Sequence, residues 1–350
     1  MSGKCAIPGL SREELKNAIK EMGLPGFRAD QLWRWVQVQV AGEWSSMTNL
    51  GPALQARLAE AFELNPTRLE KTHQDASGTI KLLLTLADGE SIETVLIPSE
   101  DRRTVCVSSQ VGCKYNCAFC ASGKGGFRRN LETAEIVDQV RQAARYWKER
   151  VSNVVFMGIG EPFDNYDAVL KAVRILNDPE GLGIGARRMT ISTAGVIPGI
   201  QRLPGENIQV ELSVSLHSPD NDLRTKLMPV NRKYPLPELI AACAAYTRET
   251  KRIITFEYTL IRGVNDSKEQ ALALAGLLKS FLCRVNLIPL SPVPEYPHTG
   301  PLPETLDLFL ETLNRQGINA TCRFSRGKGV NAACGQLRLG ALREKDQDEG

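Results

Sequence analysis

The feature that most constrains the fold is a regular alternation of strand and helix patterns that begins near Thr104. Runs of β-branched and aliphatic residues predict strands over residues 103–108, 153–157, 188–193, 209–215, 253–261, 284–288 and 320–324. Amphipathic stretches predict intervening helices over residues 133–150, 166–177, 197–203, 235–249, 267–280 and 303–316. Repeated β–α units of this length predict an α/β fold whose parallel sheet is closed or partly closed into a barrel.

Polar or glycine-rich motifs directly follow several of these predicted strands. They are a cysteine-rich loop, Gly-Ile-Gly-Glu-Pro at residues 158–162, Ser192-Thr193, and Ser-Leu-His at residues 215–217. Barrels of this kind place their functional groups at the C-terminal ends of the strands. The agreement among independent motifs predicts one site at that edge of the sheet.

The cysteine-rich loop carries Cys113, Cys117 and Cys120 in a C-x3-C-x2-C array. Thiolates at this spacing can bind three corners of an iron–sulfur cube and leave the fourth iron open for chemistry. A structural zinc loop and a set of buried thiols are the alternatives. Structural zinc takes four ligands, and no Cys or His lies within a few residues to complete the set. The array therefore predicts a cluster, while spacing alone gives Cys106 no role.

The first part of the chain has a helical pattern. Ser11 and Glu14 form a capping-box pattern before the first helix, and residues 29–40 and 51–62 predict two more helices. Basic residues on this module could face RNA phosphates, although a solvated helix surface accounts for them equally well. These residues are Lys16, Lys20, Arg28 and Arg34.

Between the helical module and the barrel, the pattern changes to that of a hairpin, with strands at 80–86 and 91–97 joined by a turn at 87–90. Glu93 lies inside the second strand, where the pattern alone indicates an exposed polar residue. The predicted organisation is a helical domain at 1–68, a hairpin linker at 69–98, a barrel at 99–342 and a disordered tail at 343–350.

Composition narrows the class of protein. The net charge of +3, with 42% hydrophobic and 24% charged residues, is ordinary for a globular enzyme, so a nucleic acid would have to bind local basic patches. Nine irregularly spaced cysteines do not suit a secreted disulfide framework. The sequence has no apolar run of transmembrane length and no signal-peptide pattern, so we expect a cytoplasmic protein.

Single residues in the motifs carry weaker signals. Glu161 could accept a hydrogen bond from an ammonium group. Ser192 and Ser215 are hydroxyls at strand ends that could equally be structural caps, and His217 could be a hydrogen-bonded histidine at the barrel mouth. Together with a cluster, they predict a pocket for a polar small molecule that chelates the open iron.

One further cysteine stands out. Cys334 lies in a glycine-flanked segment after the last predicted strand, which would place it over the barrel mouth. A small buried thiol is the ordinary alternative. That alternative suits Cys243, Cys283 and Cys322, which fall on helix or strand patterns.

These elements resemble the radical S-adenosylmethionine (SAM) RNA methyltransferases of the RlmN/Cfr type, which methylate an adenine carbon in 23S ribosomal RNA and, for RlmN, in certain tRNAs. The resemblance rests on the cysteine array, on the Gly-Glu-Pro and Ser-Leu-His motifs, on Ala-Ala-Cys-Gly-Gln-Leu at residues 332–337, and on residues 107–113 and 227–231. Residues 25–35 are similar to the family's accessory helical domain. The resemblance implies a partial (β/α)6-type radical SAM barrel.

The resemblance also implies a cofactor set. Cys113, Cys117 and Cys120 would ligate one [4Fe–4S] cluster, whose free iron would bind the amino and carboxylate groups of SAM. The residues that it implies as SAM contacts are Gly160, Glu161, Ser192, Ser215, Leu216, His217 and Ser291.

Three further roles follow from the same resemblance. Cys334 would carry a methyl group received from one SAM, and a radical derived from a second SAM would activate that methyl group for addition to adenine. Glu93 would act as general base, in contrast to its interpretation from the strand pattern. Cys106 would release the product by forming a transient disulfide with Cys334.

The sequence departs from the family pattern in three places. Ser291 stands where the family has an asparagine that contacts SAM. Residues 293–301 lack a usual arginine, and residues 326–331 lack a usual aspartate. These changes affect the expected SAM geometry and RNA target but leave the radical machinery in place.

The predicted function is methylation of an adenine carbon, C2 in preference to C8, in 23S rRNA and also in tRNA. We expect a monomer that receives electrons from a flavodoxin or ferredoxin and has no membrane partner. The alternatives are a divergent paralogue acting at C8 or on another substrate, and a non-catalytic RNA-binding relative. The presence of Glu93, Cys106 and Cys334 argues against the last.

Overall fold

The computed structural model describes residues 4–293, 296–324 and 336. The strands of the described chain are β1 (Cys5–Ala6), β2 (Phe62–Glu63), β3 (Thr67–Gln74), β4 (Ile80–Leu86), β5 (Ser91–Pro98), β6 (Arg103–Cys106), β7 (Gln110–Gly112), β8 (Phe127–Asn130), β9 (Asn153–Phe156), β10 (Met189–Thr193), β11 (Glu211–Ser215), β12 (Ile254–Leu260), β13 (Cys283–Pro289) and β14 (Asn319–Cys322). The helices are α1 (Arg12–Glu21), α2 (Phe27–Trp33), α3 (Pro52–Ala61), α4 (Thr133–Trp147), α5 (Tyr166–Asn177), α6 (Ile197–Arg202), α7 (Asn221–Leu227), α8 (Leu236–Thr250), α9 (Lys268–Leu278) and α10 (Pro303–Arg315).

A ten-stranded sheet with the order β14-β13-β12-β11-β10-β9-β6-β5-β4-β3 forms the centre of the molecule. All pairs from β6 to β14 are parallel, and these strands correspond to the seven predicted from sequence. The predicted α/β class with a parallel sheet is therefore confirmed. The predicted hairpin is present as β4 and β5, and β5 pairs antiparallel with β6, so the hairpin extends the main sheet.

Several elements were not predicted. Strand β3 adds an outer antiparallel strand beside β4, and β7 pairs with β8 in a separate small sheet. The predicted helix at 29–40 is α2 followed by one π-helical turn at Arg34–Val38. Short strands and π turns lack the long apolar period from which elements are recognised in a sequence.

Alternation along the strands separates the core from the site. On β12, the Phe256 ring meets Phe281 at 6.0 Å and the Tyr258 ring meets Phe309 of α10 at 5.4 Å, measured between centroids. Successive strand residues point to opposite faces of the sheet. Glu257 and Thr259 therefore point away from these rings, and both line a cavity. The helices thus bury one face of the sheet, and the concave face is left for the site.

The N-terminal helices are fixed to the barrel by one arginine. Arg141 of α4 is fully buried, and its guanidinium donates to the carbonyls of Val36 (3.0 Å), Leu64 (2.9 Å) and Ala41 (2.9 Å). The same guanidinium forms an ion pair with the buried Asp138. Because each of these groups would be costly to bury alone, the contacts hold the N-terminal segment on α4.

The predicted first helix begins as expected. The Ser11 hydroxyl accepts from the Glu14 amide at 3.2 Å, and the Glu14 carboxylate accepts from the Ser11 amide at 2.7 Å. Among the basic candidates for RNA contact, Lys16 pairs with Asp30 at 3.3 Å and Arg28 donates to Gln31 at 2.8 Å. Within the described residues, no helix combines the length and apolar character needed to span a membrane.

Candidate active site

The cysteine loop is framed by the small β7–β8 sheet, whose strands lie directly before and after it. The Cys113 amide donates to the Gly126 carbonyl at 3.1 Å, which closes the base of the loop. At its far side, the Ala118 amide donates to the Leu227 carbonyl at 2.9 Å. Gly123 packs so tightly that an added Cβ would lie 2.6 Å from the Asn116 Cα. These contacts give the loop one defined conformation over the barrel.

The Gly-Ile-Gly-Glu turn after β9 fits closely beneath that loop. Gly160 has φ of +103°, and a Cβ there would lie 2.5 Å from the Gln110 Cβ. Gln110 accepts from the Glu161 amide at 2.8 Å. An added Cβ at Gly158 would lie 2.7 Å from the Val107 carbonyl oxygen. Glycine is required here by backbone packing as well as by the left-handed φ.

A cavity of about 1020 Å³, measured with its solvent-open part, lies at the C-terminal ends of the parallel strands. It is lined by all three array cysteines and by six residues implied as SAM contacts, namely Gly160, Glu161, Ser192, Ser215, His217 and Ser291. Leu216, which was implied with them, does not line it; its backbone carbonyl accepts from Arg224 at 3.2 Å. The motifs that are far apart in sequence therefore converge on one site.

The chemistry of the three thiols fits a cluster. Burial raises the pKa of Cys113 to about 12 and raises the pKa of Cys117 well above its usual value. Such thiols favour the thiolate form only when a positive charge compensates for burial, and bound iron would supply it. In the described part of the chain, no three His, Cys, Asp or Glu residues are placed to share one metal ion. A cluster, by contrast, binds each ligand through a different iron atom.

Glu161 is buried at the edge of this cavity. Its Oε1 accepts from the Phe163 amide at 3.0 Å and its Oε2 from the Ala194 amide at 2.7 Å. Burial raises its pKa to about 7 despite these two bonds, which favour the charged form. A ligand ammonium group would shift the balance towards the carboxylate.

His217 has left-handed backbone geometry, with φ of +58°. Its Nδ1 accepts from the Thr259 amide at 2.8 Å, and its carbonyl accepts from the Asn265 side chain at 2.8 Å. Burial lowers its pKa to about 3, so the ring is neutral and Nε2 carries the proton. Its ring also meets Phe119 of the cysteine loop edge-on at 4.8 Å. His217 is thus a rigid, hydrogen-bonded residue at the barrel mouth.

Arg224 of α7 is a residue of the site that the sequence did not single out. Its buried guanidinium donates to the carbonyls of Ala194 (2.8 Å) and Ser215 (3.1 Å), and to the Asn231 side chain (2.6 Å). It thereby joins the loops that follow β10 and β11. A single arginine on a seven-residue helix has no sequence pattern that would mark it as functional. The one available signal was its partner Asn231, which belongs to the motif at residues 227–231.

Glu93 is buried, with 2% of its surface exposed, so the interpretation of an exposed polar residue from the strand pattern is wrong. Its Oε1 lies 2.8 Å from Nζ of Lys81, which is itself buried on β4. Its backbone carbonyl accepts from the Ser108 hydroxyl at 2.7 Å. The pairing across two strands could not be read from the position of one carboxylate in a strand.

Of the two thiols of the implied disulfide, Cys106 lies within the described residues. Cys106 is buried at the end of β6, where it lies opposite Val95 of β5. Cys106, Val95 and Ile159 form a small apolar cluster against which Met157 packs, and Met157 lines the cavity. Cys106 therefore belongs to a cluster that packs against one residue of the cavity lining. Cys334 lies outside the described residues.

Comparison with known proteins agrees with this geometry. Residues 6–64 match the ribosomal RNA large subunit methyltransferase N-terminal domain, and residues 107–275 match the radical SAM superfamily. The crystal structure of a radical SAM methyltransferase from Sphaerobacter thermophilus is 48% identical, with a TM-score of 0.94 over 95% of this chain and 99% of that chain. The predicted radical SAM fold is thereby confirmed.

Full-length relatives are also similar to this chain. A probable dual-specificity RNA methyltransferase RlmN from Symbiobacterium thermophilum is 47% identical over 98% of this chain and 93% of its own length. A protein of the same name from Bacillus thuringiensis subsp. konkukian is 45% identical over 98% of this chain and 95% of its own. The sequence identity, the fold and the arrangement of the cavity agree, and the chain belongs to the RlmN-type family of radical SAM methyltransferases.

Proposed function

We propose that this protein is a dual-specificity RNA methyltransferase that acts on C2 of adenine in 23S rRNA and in tRNA. The observation that carries the proposal is the cavity, in which the three array cysteines and six candidate SAM contacts meet. Relatives that are 45–47% identical over nearly their full length bear the name dual-specificity RNA methyltransferase. The choice of C2 over C8 follows the more common branch of the family.

Membership of the radical SAM superfamily implies a [4Fe–4S] cluster and SAM. Cys113, Cys117 and Cys120 would hold that cluster, since all three residues line the cavity. When bound and reduced, the cluster supplies the electron that cleaves SAM to a 5′-deoxyadenosyl radical. A flavodoxin or ferredoxin would serve as the electron donor to a monomeric enzyme.

The cavity's own side chains would orient SAM. Glu161 offers a buried carboxylate to the SAM ammonium group, and two backbone amides hold that carboxylate in place. Ser192 and Ser215 present hydroxyls from neighbouring parallel strands. His217 is fixed through Nδ1, so its remaining nitrogen is a hydrogen-bond donor.

A methyl-cysteine route would use the remaining candidate residues. Cys334 would receive a methyl group from one SAM, and hydrogen abstraction by the radical from a second SAM would activate it for addition to the adenine ring. Glu93 would then accept the proton from the ring carbon. Its contact with the buried Lys81, whose Nζ lies 2.8 Å from Oε1, supports this role by fixing where the carboxylate lies. The adduct would also lose its unpaired electron to the oxidised flavodoxin or ferredoxin. Cys106 would then attack the Cys334 sulfur, so that the bond from this sulfur to the methylene carbon breaks, a Cys106–Cys334 disulfide forms, and the carbon takes up a proton to give the methylated RNA. Two electrons from the reduced donor would restore the two thiols.

The test is nucleoside analysis of 23S rRNA and tRNA after anaerobic reaction with the reduced, reconstituted enzyme and SAM. We expect 2-methyladenosine from both RNAs by mass spectrometry. Enzyme in which Cys113, Cys117 and Cys120 are replaced by alanine is the matched control and should form none. Absence of any methyladenosine with the intact enzyme would contradict the proposal.

A divergent paralogue is the second candidate, and Ser291 favours it. The Ser291 hydroxyl lies in the cavity, is buried, and has no hydrogen-bond partner in the described part of the protein. Its shorter reach than an asparagine side chain would alter how SAM sits. Formation of 8-methyladenosine, or activity on another substrate with none on these RNAs, would support this candidate.

A further inference from the structure

Besides Ser291, two other residues that line the cavity have a buried oxygen with no hydrogen-bond partner among the described residues. They are Tyr115, through its phenol oxygen, and Glu257, through Oε2. Glu257, of which only 5% is exposed, is the one that carries a carboxylate. Leaving a buried carboxylate oxygen without a donor costs free energy, more than for a neutral group. A buried oxygen of this kind, on a residue that lines a cavity, therefore points to a ligand.

Glu257 is held firmly by a row of polar side chains that crosses the concave face of the sheet. Its other oxygen, Oε1, accepts from the Ser213 hydroxyl and from the Asn286 amide nitrogen, each at 3.2 Å. Asn286 is oriented in turn by Thr321, whose hydroxyl donates to the Asn286 side-chain oxygen at 3.1 Å. With one oxygen fixed from two strands, the free oxygen has a defined direction.

The position of Glu257 relates it to the adenosyl half of the ligand. In the parallel pairing of β11 and β12, Ser215 lies directly opposite Glu257, and Ser215 is one of the implied SAM contacts. Glu161, the proposed partner of the ammonium group, belongs to the turn after β9, which is three strands from β12 in the sheet. An elongated ligand with its amino-acid end at Glu161 would have its nucleoside end nearer to Glu257.

The surroundings of the Glu257 carboxyl group are compatible with its role as a hydrogen-bond acceptor. Burial raises the pKa of the Glu257 carboxyl, while the positive charge of Arg323 and the bonds from Asn286 and Ser213 lower it. Arg323 also lines the cavity. The carboxyl group thus has both a fixed orientation and a nearby compensating charge.

We propose that Glu257 is an adenosine-binding residue, whose free oxygen accepts a hydrogen bond from a ribose hydroxyl or the 6-amino group of an adenosine in the cavity. Ser213 and Asn286 act as positioning residues for it. The proposal rests on the proposed function, since both SAM and the target RNA carry an adenosine. The two sources share this chemistry, and the experiment separates them.

The test is Glu257→Gln in the cluster-reconstituted enzyme. The glutamine side chain has the same shape as that of Glu257, but it can place an NH2 donor at the position of the accepting oxygen Oε2. Binding is measured with 5′-methylthioadenosine, which has the adenosyl group but no amino acid to chelate iron. We expect its Kd to rise about 10- to 100-fold, as for loss of a hydrogen bond to a charged group. Glu211→Gln is the matched control, because Glu211 lies on neighbouring β11 and pairs with Arg252 at 2.7 Å, away from the cavity lining.

Two results support the proposal and identify the source of the adenosine. A higher Kd for 5′-methylthioadenosine assigns Glu257 to SAM. An unchanged Kd with a KM for RNA raised at least about tenfold assigns it to the target adenosine. If the glutamine variant does not fold, Glu257→Asp, which keeps the charge but withdraws the oxygen, is expected to change the same quantity.

Other results overturn the proposal. Unchanged Kd and KM in a folded Glu257→Gln protein would leave Glu257 with only a structural role beside Arg323. A lower melting temperature without a change in binding would lead to the same conclusion. If the wild-type enzyme methylates RNA while Glu257→Gln is unaffected, only this inference fails. If the wild type neither binds the nucleoside nor forms methyladenosine, the proposed function fails with it.

Discussion

Nζ of Lys81 lies 2.8 Å from Oε1 of Glu93, across the antiparallel pair of β4 and β5, with both side chains buried. Lys81 lies opposite Val95, two residues from Glu93 on the same strand face, so the ion pair is diagonal. Val95 belongs to the same small apolar cluster as Cys106. The candidate base and the candidate resolving thiol thus occupy one face of the sheet.

Lys81→Met should destabilise the protein by about 3–5 kcal/mol, because it leaves the Glu93 charge buried without this partner. The measurement is the free energy of unfolding in urea. Lys171→Met is the control: its ion pair with Glu14, at 2.7 Å, is exposed, and its loss should cost below about 1 kcal/mol. Lys81→Arg should retain most of the stability. Equal losses for the two methionine variants would contradict the prediction.

Arg141→Met should destabilise the protein by about 3 kcal/mol, because it removes the donor to three backbone carbonyls and leaves the buried Asp138 with only its longer ion pair to Arg145, at 3.4 Å. Replacing Asp138 with leucine in the same protein removes this poorly compensated charge. We expect this double variant to recover only part of the loss, since the carbonyls still lack that donor. Full recovery in urea unfolding would show that the ion pair alone matters.

Affinity for SAM should fall as the pH falls below about 7. Burial places the pKa of Glu161 at about 7, and only its ionised form attracts an ammonium group. The Kd for SAM should therefore approach a tenfold rise per pH unit well below 7. The Kd for 5′-methylthioadenosine, which has no ammonium group, should stay constant. A pH-independent Kd for SAM, or the same pH dependence in Glu161→Gln, would exclude Glu161 as the partner.

Cys106→Ala should trap RNA covalently on the protein, because methyl transfer to the adenine would proceed while release through the disulfide could not. The adduct is measured with labelled RNA on a denaturing gel. Replacing Cys334 as well should abolish it. Cys243→Ala, in a thiol buried on α8 and outside the cavity lining, should turn over normally. Free turnover by Cys106→Ala would show that Cys106 does not resolve the adduct.

Much of the fold could be predicted because its signals are local. Strand and helix periods identified all seven parallel strands, and strand ends identified the motifs that line the cavity. Strands β7 and β8 were missed because three or four residues show no period, although they determine where the cysteine loop lies.

The site was predictable only where residues form recognisable motifs. Lys81 and Glu257 are each the one charged residue of an ordinary strand, and Arg224 is one of three charged residues on a short helix. Their importance comes from partners that are distant in sequence: Glu257 is bonded to a residue 44 positions away on another strand. No spacing rule within one segment predicts such a contact.

The sequence by itself determined the alternation of strands and helices, the cysteine array and the family. The tertiary structure alone decided which charges are buried and what they face. The physical reason is that secondary structure follows from neighbours along the chain, whereas burial and ion pairing depend on which strands lie side by side. Glu93 makes the difference plain, since its strand pattern suggested exposure and the sheet buried it against Lys81.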